Sequence, residues 1–230
     1  MFTLTDAEIE ALSLSLWVSC WAVAGSLPLG VLAAWVLARL DFRGKSALDG
    51  IIHLPLVLPP VVVGYLMLIT FGRAGPVGKV LYEWFDITIA FTWKGAALAS
   101  AVVAFPLMVR SIRLSLEAVD RGLEDAARTL GASPTRVFFT ITMPLMAPGI
   151  FAGTILAFAR SLSEFGATIT FVSNIPGETR TLPLALYNLT QVPGAELAAA
   201  RLCAIAVVVA FTTLFASEVL AQRMKRQMEA

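Results

Sequence analysis

The chain has 230 residues, of which 58% are hydrophobic and only 14% are charged. Soluble globular domains average about 45–50% apolar and about 25% charged residues, so this composition excludes an ordinary soluble domain and indicates an all-α, multi-pass membrane protein. The net charge of +1 argues neither for nor against a nucleic-acid partner. No basic stripe occurs outside the loops that flank the apolar runs, so the expected surroundings are membrane lipid rather than nucleic acid. His53 is the only histidine, which leaves no histidine-based metal site within this chain.

Five apolar runs predict five transmembrane helices in a single domain that occupies residues 1–230. The first run holds some 27 residues, which at about 1.5 Å per residue span roughly 40 Å and cross a membrane with tilt. Cys20 and Cys203 lie inside apolar runs and are expected to be small buried hydrophobes rather than a disulfide or metal pair. The predicted spans cover residues 12–38, 51–71, 92–114, 138–159 and 198–221.

Prolines interrupt the second span in particular. Pro55, Pro59 and Pro60 remove three backbone donors, so the helix must bend or unwind, which lipid tolerates only where protein or a cavity satisfies the freed carbonyls. A transport pathway and a kinked structural helix both account for this pattern. In the first span, Pro28 and Gly30 are expected to produce a kink.

Two short helices are expected between the spans. Residues 72–91 contain a turn at Gly75-Pro76, followed by an amphipathic segment that Trp84 would anchor in the membrane interface. Gly75 to Lys79 superficially looks like a phosphate loop, but Val80 replaces the hydroxyl that would hold magnesium, so ATP binding is rejected there. A second short helix is predicted at residues 182–191.

The segment 119–137 is the longest stretch that carries charge on one side and apolar residues at helical spacing. Asp120 is the expected N-cap of a short helix, Gly131 its left-handed end, and Ser133-Pro134 the start of a second helix that continues into the membrane. The apolar face is formed by Val119, Leu123, Ala126, Ala127 and Leu130. The opposite face is formed by Arg121, Glu124, Asp125 and Arg128. An ordinary cytoplasmic loop would also explain these helix signals.

Lysine and arginine positions predict the orientation in the membrane. Eleven of them follow the first, third and fifth spans, whereas four lie on the opposite side, if Arg160 and Arg201 near span ends are left out. Basic loops stay in the cytoplasm, so the N-terminus is expected outside, the C-terminus inside and segment 119–137 in the cytoplasm.

No enzyme constellation occurs in the sequence, so a chain that moves solute uphill must draw energy from elsewhere. Gradient-driven carriers usually have internal repeats and ionisable residues within spans, which this chain lacks. A cytoplasmic amphipathic helix instead favours a partner ATPase that seats it in a groove. Five spans are few to enclose a pathway, so a homodimer with the path on its twofold axis is expected. A membrane scaffold that docks a partner without moving solute is the alternative from another class.

The spacing in segment 119–144 resembles the "EAA loop" of the membrane subunits of ABC importers. Asp125-Ala126-Ala127, three residues, Gly131, nine residues, Ile141, one residue and Met143-Pro144 follow the family pattern Glu-Ala-Ala, three residues, Gly, nine residues, Ile-x-Leu-Pro. Asp125 and Met143 depart from the pattern but keep an acid and a large apolar side chain. The resemblance implies an ATPase-coupling role for Glu124, Asp125, Ala126, Ala127, Gly131, Ile141, Met143 and Pro144.

Beyond this loop, the stretches HLPLVLPPVVVGYL, RTLGASPTRVFFTITMP and FARSLSEFGATITFVSNIPGETRT resemble permease subunits of bacterial molybdate ABC transporters. The resemblance implies a type I ABC importer fold in the bacterial cytoplasmic membrane, with molybdate and also tungstate as substrates. It further implies a homodimer, two cytoplasmic ATPase subunits that use ATP and Mg, and a periplasmic molybdate-binding protein. The chain itself is then no enzyme and binds no cofactor. Permeases for sulfate or thiosulfate share the loop and are the alternative.

One further candidate region follows the fourth span. Arg160 and Glu164 are four residues apart and are expected to pair on one helix face, either as part of a gate or anion path or as a pair that lowers the cost of its own burial. The candidate gate and pathway residues are Arg160, Ser161, Ser163, Glu164 and Phe165.

Overall fold

The computed structural model describes residues 4–229, with side chains described through residue 215, and every regular element in this part of the chain is helical. The elements in chain order are α1 (Asp6–Arg39), α2 (Lys45–Val57), α3 (Pro60–Phe71), α4 (Pro76–Phe85), α5 (Trp93–Glu117), α6 (Arg121–Thr129), α7 (Pro134–Val137), a π-helical segment (Phe138–Thr142), α8 (Met143–Leu162), α9 (Gly166–Val172), α10 (Leu182–Thr190) and α11 (Glu196–Glu229).

Four stretches of helix within the described residues are long and apolar enough to cross a membrane. These are Asp6–Arg39, Trp93–Glu117, Pro134–Leu162 and Glu196–Phe215, and the third of them runs from α7 through the π-helical segment into α8. The pair α2 and α3 becomes a fifth span if the two helices are counted together. The all-α architecture with about five spans is therefore confirmed.

The prediction that the prolines bend or unwind the second span, expected over residues 51–71, is confirmed. The span begins earlier, at Lys45, and it is broken between α2 and α3, whose axes differ by 114°. Pro59 has an extended backbone (ψ 133°) and Pro60 starts α3 at a position where its missing N–H costs nothing, so these two prolines make the break. Pro55 stays inside α2, just as Pro28 stays inside the continuous helix α1.

Helix α5 lies at the centre and packs against α1 on one side and α8 on the other. Ala34 and Leu37 of α1, Met108 of α5 and Met146 of α8 are fully buried in one apolar cluster. Gly149 of α8 lets this helix approach α5 closely, and its carbonyl accepts a hydrogen bond from Ser111 Oγ at 3.2 Å. Small residues and interhelical hydroxyl bonds of this kind hold membrane helices together where lipid is as apolar as the side chains.

The smaller predictions have mixed outcomes. The short helices expected near 76–85 and 182–191 are confirmed as α4 and α10. The expectation that Cys20 and Cys203 are buried is wrong, because both thiols are free and exposed on the outside of α1 and α11. An apolar run marks a helix for a membrane but does not say which of its faces turns to lipid.

Candidate coupling and pathway site

The helix expected in segment 119–137 forms with the predicted ends. The Asp120 carboxylate accepts a hydrogen bond from the N–H of Gly122 at 2.8 Å at the start of α6. At the other end Gly131 has φ +85°, a left-handed conformation that glycine adopts at little cost. Ser133 Oγ accepts from the N–H of Arg136 and caps α7, where Pro134 is the first residue. The capping residues and the glycine in the sequence therefore predicted the end of α6 and the start of α7 correctly.

The predicted apolar face is exposed at its leucines, whereas Val119, just before α6, is buried in the core and Ala127 is half-buried. Leu123 is 50% exposed and Leu130 is 89% exposed, and Ala126 between them is exposed as well. The residue of α6 that is buried is Glu124, at 6% exposure, although it belongs to the predicted charged face. Arg121, Asp125 and Arg128 of that face are exposed. The helix thus exposes its leucines and buries a glutamate, which is unusual for a surface helix.

Glu124 is buried because it joins three elements. Its Oε1 accepts hydrogen bonds from Arg39 Nη2 at 2.9 Å and from Thr142 Oγ1 at 2.7 Å. Arg39 is the last residue of α1, and Thr142 ends the π-helical segment that leads into α8. We call Arg39, Glu124 and Thr142 the Glu124 latch. It attaches α6 to the ends of two membrane helices through one charged group.

The remaining residues of the coupling motif lie at the surface around this latch. Asp125 is exposed and pairs with Arg128 Nη1 at 2.7 Å. Ile141 is half-buried in the π-helical segment, whereas Met143 and Pro144 are exposed in the first turn of α8. The structure thus brings the two ends of the motif to one side of the molecule, connected through α7.

The loop between α1 and α2 adds a further charged pair beside the latch. A hydrogen bond from Lys45 Nζ at 3.0 Å holds the pKa of the exposed Asp41 carboxyl below its usual value, and the positive charge of Arg121 adds to this effect.

The predicted pair Arg160 and Glu164 forms, with Arg160 Nη1 2.8 Å from Glu164 Oε2. The expectation that both lie on one helix face is wrong, since α8 ends at Leu162 and Glu164 lies in the turn before α9. The other carboxylate oxygen, Oε1, accepts from the N–H of Ala167 at 2.8 Å in the first turn of α9. The Glu164 side chain is 1% exposed, so it connects α8 to α9 from a buried position.

The other candidate pathway residues have different surroundings. Ser161 is buried and its Oγ has no hydrogen-bond partner among the described residues, whereas Ser163 is exposed. The ring of Phe165 packs against Tyr187 of α10 with 5.1 Å between centroids. The structure therefore does not gather all five side chains around one point.

Sequence reasoning missed a close contact between α3 and α9. A Cβ placed on Gly64 would lie 2.5 Å from the carbonyl oxygen of Ala167 and 2.9 Å from Thr170 Cβ. Helix α3 of the broken second span and α9, which follows the turn with Glu164, are thus packed backbone to backbone. A glycine within an apolar run was the available signal, but it does not reveal which helix approaches it.

No group of three or more histidine, cysteine, aspartate or glutamate side chains arranged for a metal ion occurs in the described part of the chain. Two regions remain as the candidate site: an amphipathic helix with exposed leucines held by a buried ion pair, and a broken span packed against α9. The all-helical arrangement of spans that carries them is the fold class of type I ABC importer permeases.

Comparison with known proteins agrees with this class. The chain belongs to the family described as "Binding-protein-dependent transport system inner membrane component", which it matches over residues 26–226. It is 64% identical over 219 residues to the "Molybdenum transport system permease protein ModB" of Escherichia coli strain K12, covering 95% of this chain and 96% of that protein. It is 60% identical over 221 residues to the protein of the same name from Haemophilus influenzae, covering 96% of each.

Among solved structures, the fold matches a chain of a bacterial ABC transporter involved in the import of the acidic polysaccharide alginate. The TM-score is 0.76 at 18% sequence identity, covering 96% of this chain and 80% of that chain. At this identity the match concerns the fold and carries no information about the substrate.

Proposed function

We propose that this chain is the membrane-spanning permease subunit of an ATP-driven importer that carries molybdate, and also tungstate, across the bacterial cytoplasmic membrane. High identity over nearly the full length to two permeases named for molybdenum transport supports this substrate over sulfate or thiosulfate. ATP and magnesium are used by a separate ATPase subunit, and this chain is a transport component without a catalytic site of its own.

The observation that carries the coupling role is the exposed leucine face of α6. Leu123 and Leu130 face outward while Glu124 holds the opposite side of the helix against the protein. Fully burying one leucine contributes about 1.5–3 kcal/mol, so a protein surface that covers both side chains gains a substantial part of an interface. We assign this face to a groove on the ATPase, with Asp125, Ala126, Ala127 and Gly131 at the contact.

The latch converts movement of α6 into movement of the membrane helices. A rigid attachment through Glu124 to Arg39 and Thr142 makes α1 and α8 follow α6 when the ATPase closes. Ile141, Met143 and Pro144 lie on the segment that leads from α6 into α8, and they transmit this movement to α8. The π-helical segment Phe138–Thr142 is a position where the backbone hydrogen-bond pattern already departs from an α-helix.

Two copies of the chain with two ATPase subunits and a periplasmic binding protein form the working transporter in this proposal. The pathway runs along the twofold axis, with α3 and α9 next to it and Arg160, Ser161, Ser163, Glu164 and Phe165 at the outer gate. Orientation follows the basic residues, with the N-terminus outside and the C-terminus and α6 in the cytoplasm. The broken pair α2 and α3 favours a transporter over a scaffold, which has no need of a break within a span.

The test is reconstitution of this chain in proteoliposomes with its ATPase and a molybdate-loaded binding protein. Uptake of molybdate that requires ATP and all three components supports the proposal, and excess sulfate should not compete. Uptake by the chain alone under an ion gradient would replace it with a gradient-driven carrier. A complex that hydrolyses ATP without any uptake would favour the scaffold, and a reporter at Arg226 that reads as extracytoplasmic would overturn the orientation.

A further inference from the structure

A polar cavity of about 560 Å³ lies between the end of α1, the coupling helix α6 and the start of the α7–π segment. Three arginines line it, Arg39 from α1 and Arg121 and Arg128 from α6, together with the carboxylates of Glu124 and Asp125. The cavity is distinct from the outward leucine face of α6, because neither Leu123 nor Leu130 lines it.

The positive groups of the cavity are incompletely paired within the chain. Glu124 is shared by Arg39, Thr142 and Arg128, whose Nη2 lies 3.7 Å from Glu124 Oε2, and Asp125 also pairs with Arg128, at 2.7 Å. Arg121 has no carboxylate within 4.0 Å among the described side chains, and its Nη2 reaches only the Ala38 carbonyl, at 3.4 Å.

Arg39 supplies a second, independent sign of a missing acceptor. Its side chain is 10% exposed, yet its Nε is buried and has no hydrogen-bond partner within the described residues. A buried guanidinium donor left unsatisfied costs about 1–3 kcal/mol, so groups of the chain itself do not saturate the Arg39 guanidinium. Incompletely paired guanidinium groups from two different helices, Arg39 of α1 and Arg121 of α6, therefore line the cavity.

The position of the cavity indicates the kind of anion. It lies at the end of the membrane helix α1, and Trp35, Leu40 and Phe138 add apolar walls beside the arginines. Arginine forks match the oxygens of a phosphate, and basic pockets at the cytoplasmic ends of membrane helices receive anionic lipid headgroups. A free oxyanion would have no use for the apolar walls, whereas the glycerol and acyl portions of a lipid would.

We propose that this cavity binds the phosphate headgroup of an anionic phospholipid from the cytoplasmic leaflet, and that Arg39, Arg121 and Arg128 hold it. The placement in the cytoplasmic leaflet rests on the orientation in the proposed function. A bound headgroup bridges α1 and α6 beside the Glu124 latch and so supports the attachment of the coupling helix to the membrane helices.

The experiment uses the full-length chain, purified and delipidated in a non-ionic detergent, with lipid retention measured by native mass spectrometry. The probes are phosphatidylglycerol, phosphatidylcholine and inorganic phosphate. The test variant is Arg121→Gln/Arg128→Gln, and the matched control is Arg43→Gln/Arg136→Gln, which removes two exposed arginines from the same side but outside the cavity.

Phosphatidylglycerol should bind the unmodified chain and the control more tightly than phosphatidylcholine. An arginine close to an anionic headgroup contributes a factor of about five, so the double variant should bind roughly thirtyfold more weakly. Equal retention by the double variant and the control, or no preference for phosphatidylglycerol, would overturn the proposal. Retention of inorganic phosphate that phosphatidylglycerol does not displace would assign the cavity to a free anion instead.

Two further arms keep the result interpretable. If the double variant does not fold, Arg121→Gln alone, which removes a side chain with one long hydrogen bond, should weaken binding about fivefold. The lipid-binding measurement needs neither ATPase nor substrate. A failed uptake assay therefore does not count against lipid binding, and normal uptake does not count in its favour. The reporter at Arg226 separately tests the leaflet.

Discussion

The substitution Glu124→Gln tests the latch most directly. It keeps the size and shape of the side chain but removes the charge that Arg39 and Thr142 share. The Arg39 side chain, which is 10% exposed, then no longer has a negatively charged partner at position 124. Because α6 presents its leucines outward, loss of this pair removes the principal polar attachment of the helix to the membrane helices.

The magnitude follows from the burial of the pair. Removing one member of a buried ion pair costs about 3–5 kcal/mol, and a glutamine oxygen that still accepts one neutral hydrogen bond returns about 1 kcal/mol. The attachment of α6 should therefore weaken by about 2–4 kcal/mol. Because 1.4 kcal/mol corresponds to a factor of ten, local opening of α6 should become about a hundredfold more frequent.

Two measurements check this expectation. Hydrogen exchange should accelerate in residues 121–130 and leave the interior of α5 unchanged, since α5 lies in a separate buried cluster. In proteoliposomes with the ATPase, molybdate uptake should fall while ATP hydrolysis continues, because the ATPase still grips α6 but no longer moves α1 and α8. In an Arg39→Gln background the same change should cost much less, as expected for two residues that interact directly.

The matched control is Glu117→Gln. Glu117 pairs with Arg113 at 2.7 Å on the surface near the end of α5, where its side chain is 43% exposed, so its loss should cost less than about 1 kcal/mol. Normal uptake and unchanged exchange in Glu124→Gln would refute the latch. A decline of uptake and ATP hydrolysis in the same proportion as protein abundance would reduce Glu124 to a purely structural residue.

Three further substitutions test the hinge, the outer turn and the broken span. Gly131→Val should abolish uptake while the protein still inserts, because a β-branched residue at φ +85° costs at least about 1–2 kcal/mol. The control is Gly131→Asn, which should transport normally because asparagine tolerates this conformation. Glu164→Ala should remove the hydrogen bond to the Ala167 N–H and the ion pair with Arg160, at a cost of about 1–3 kcal/mol. Altered transport or an altered basal ATPase rate at unchanged abundance, measured by immunoblot, would support a gate. Reduced abundance alone would support a structural pair. Gly64→Ala should force α3 from α9 at a cost of about 1–3 kcal/mol and lower both Tm and uptake. Gly50→Ala, a change within α2 with nothing within 4 Å, should lower neither.

Features that depend on neighbours in the sequence were predicted well. The caps at Asp120 and Ser133 arise from side chains that accept hydrogen bonds from backbone groups two or three residues away. The left-handed Gly131 and the proline starts of α4 and α10 likewise depend on local backbone preferences. The run of apolar residues likewise determined a polytopic helical protein, because hydrocarbon accepts only segments whose backbone is satisfied internally.

Which side of each helix faces inward was decided by the tertiary structure. Glu124 belongs to the charged face of α6 by spacing, yet it is buried, because Arg39 comes to it from 85 residues away. Cys20 and Cys203 lie in apolar runs but face outward, and the 114° break directs α3 onto α9 through Gly64. In a membrane an apolar side chain is equally stable against lipid and in the protein core. Hydrophobicity along the chain therefore predicts that a helix exists, whereas the face that it turns inward depends on neighbouring helices in the packed fold.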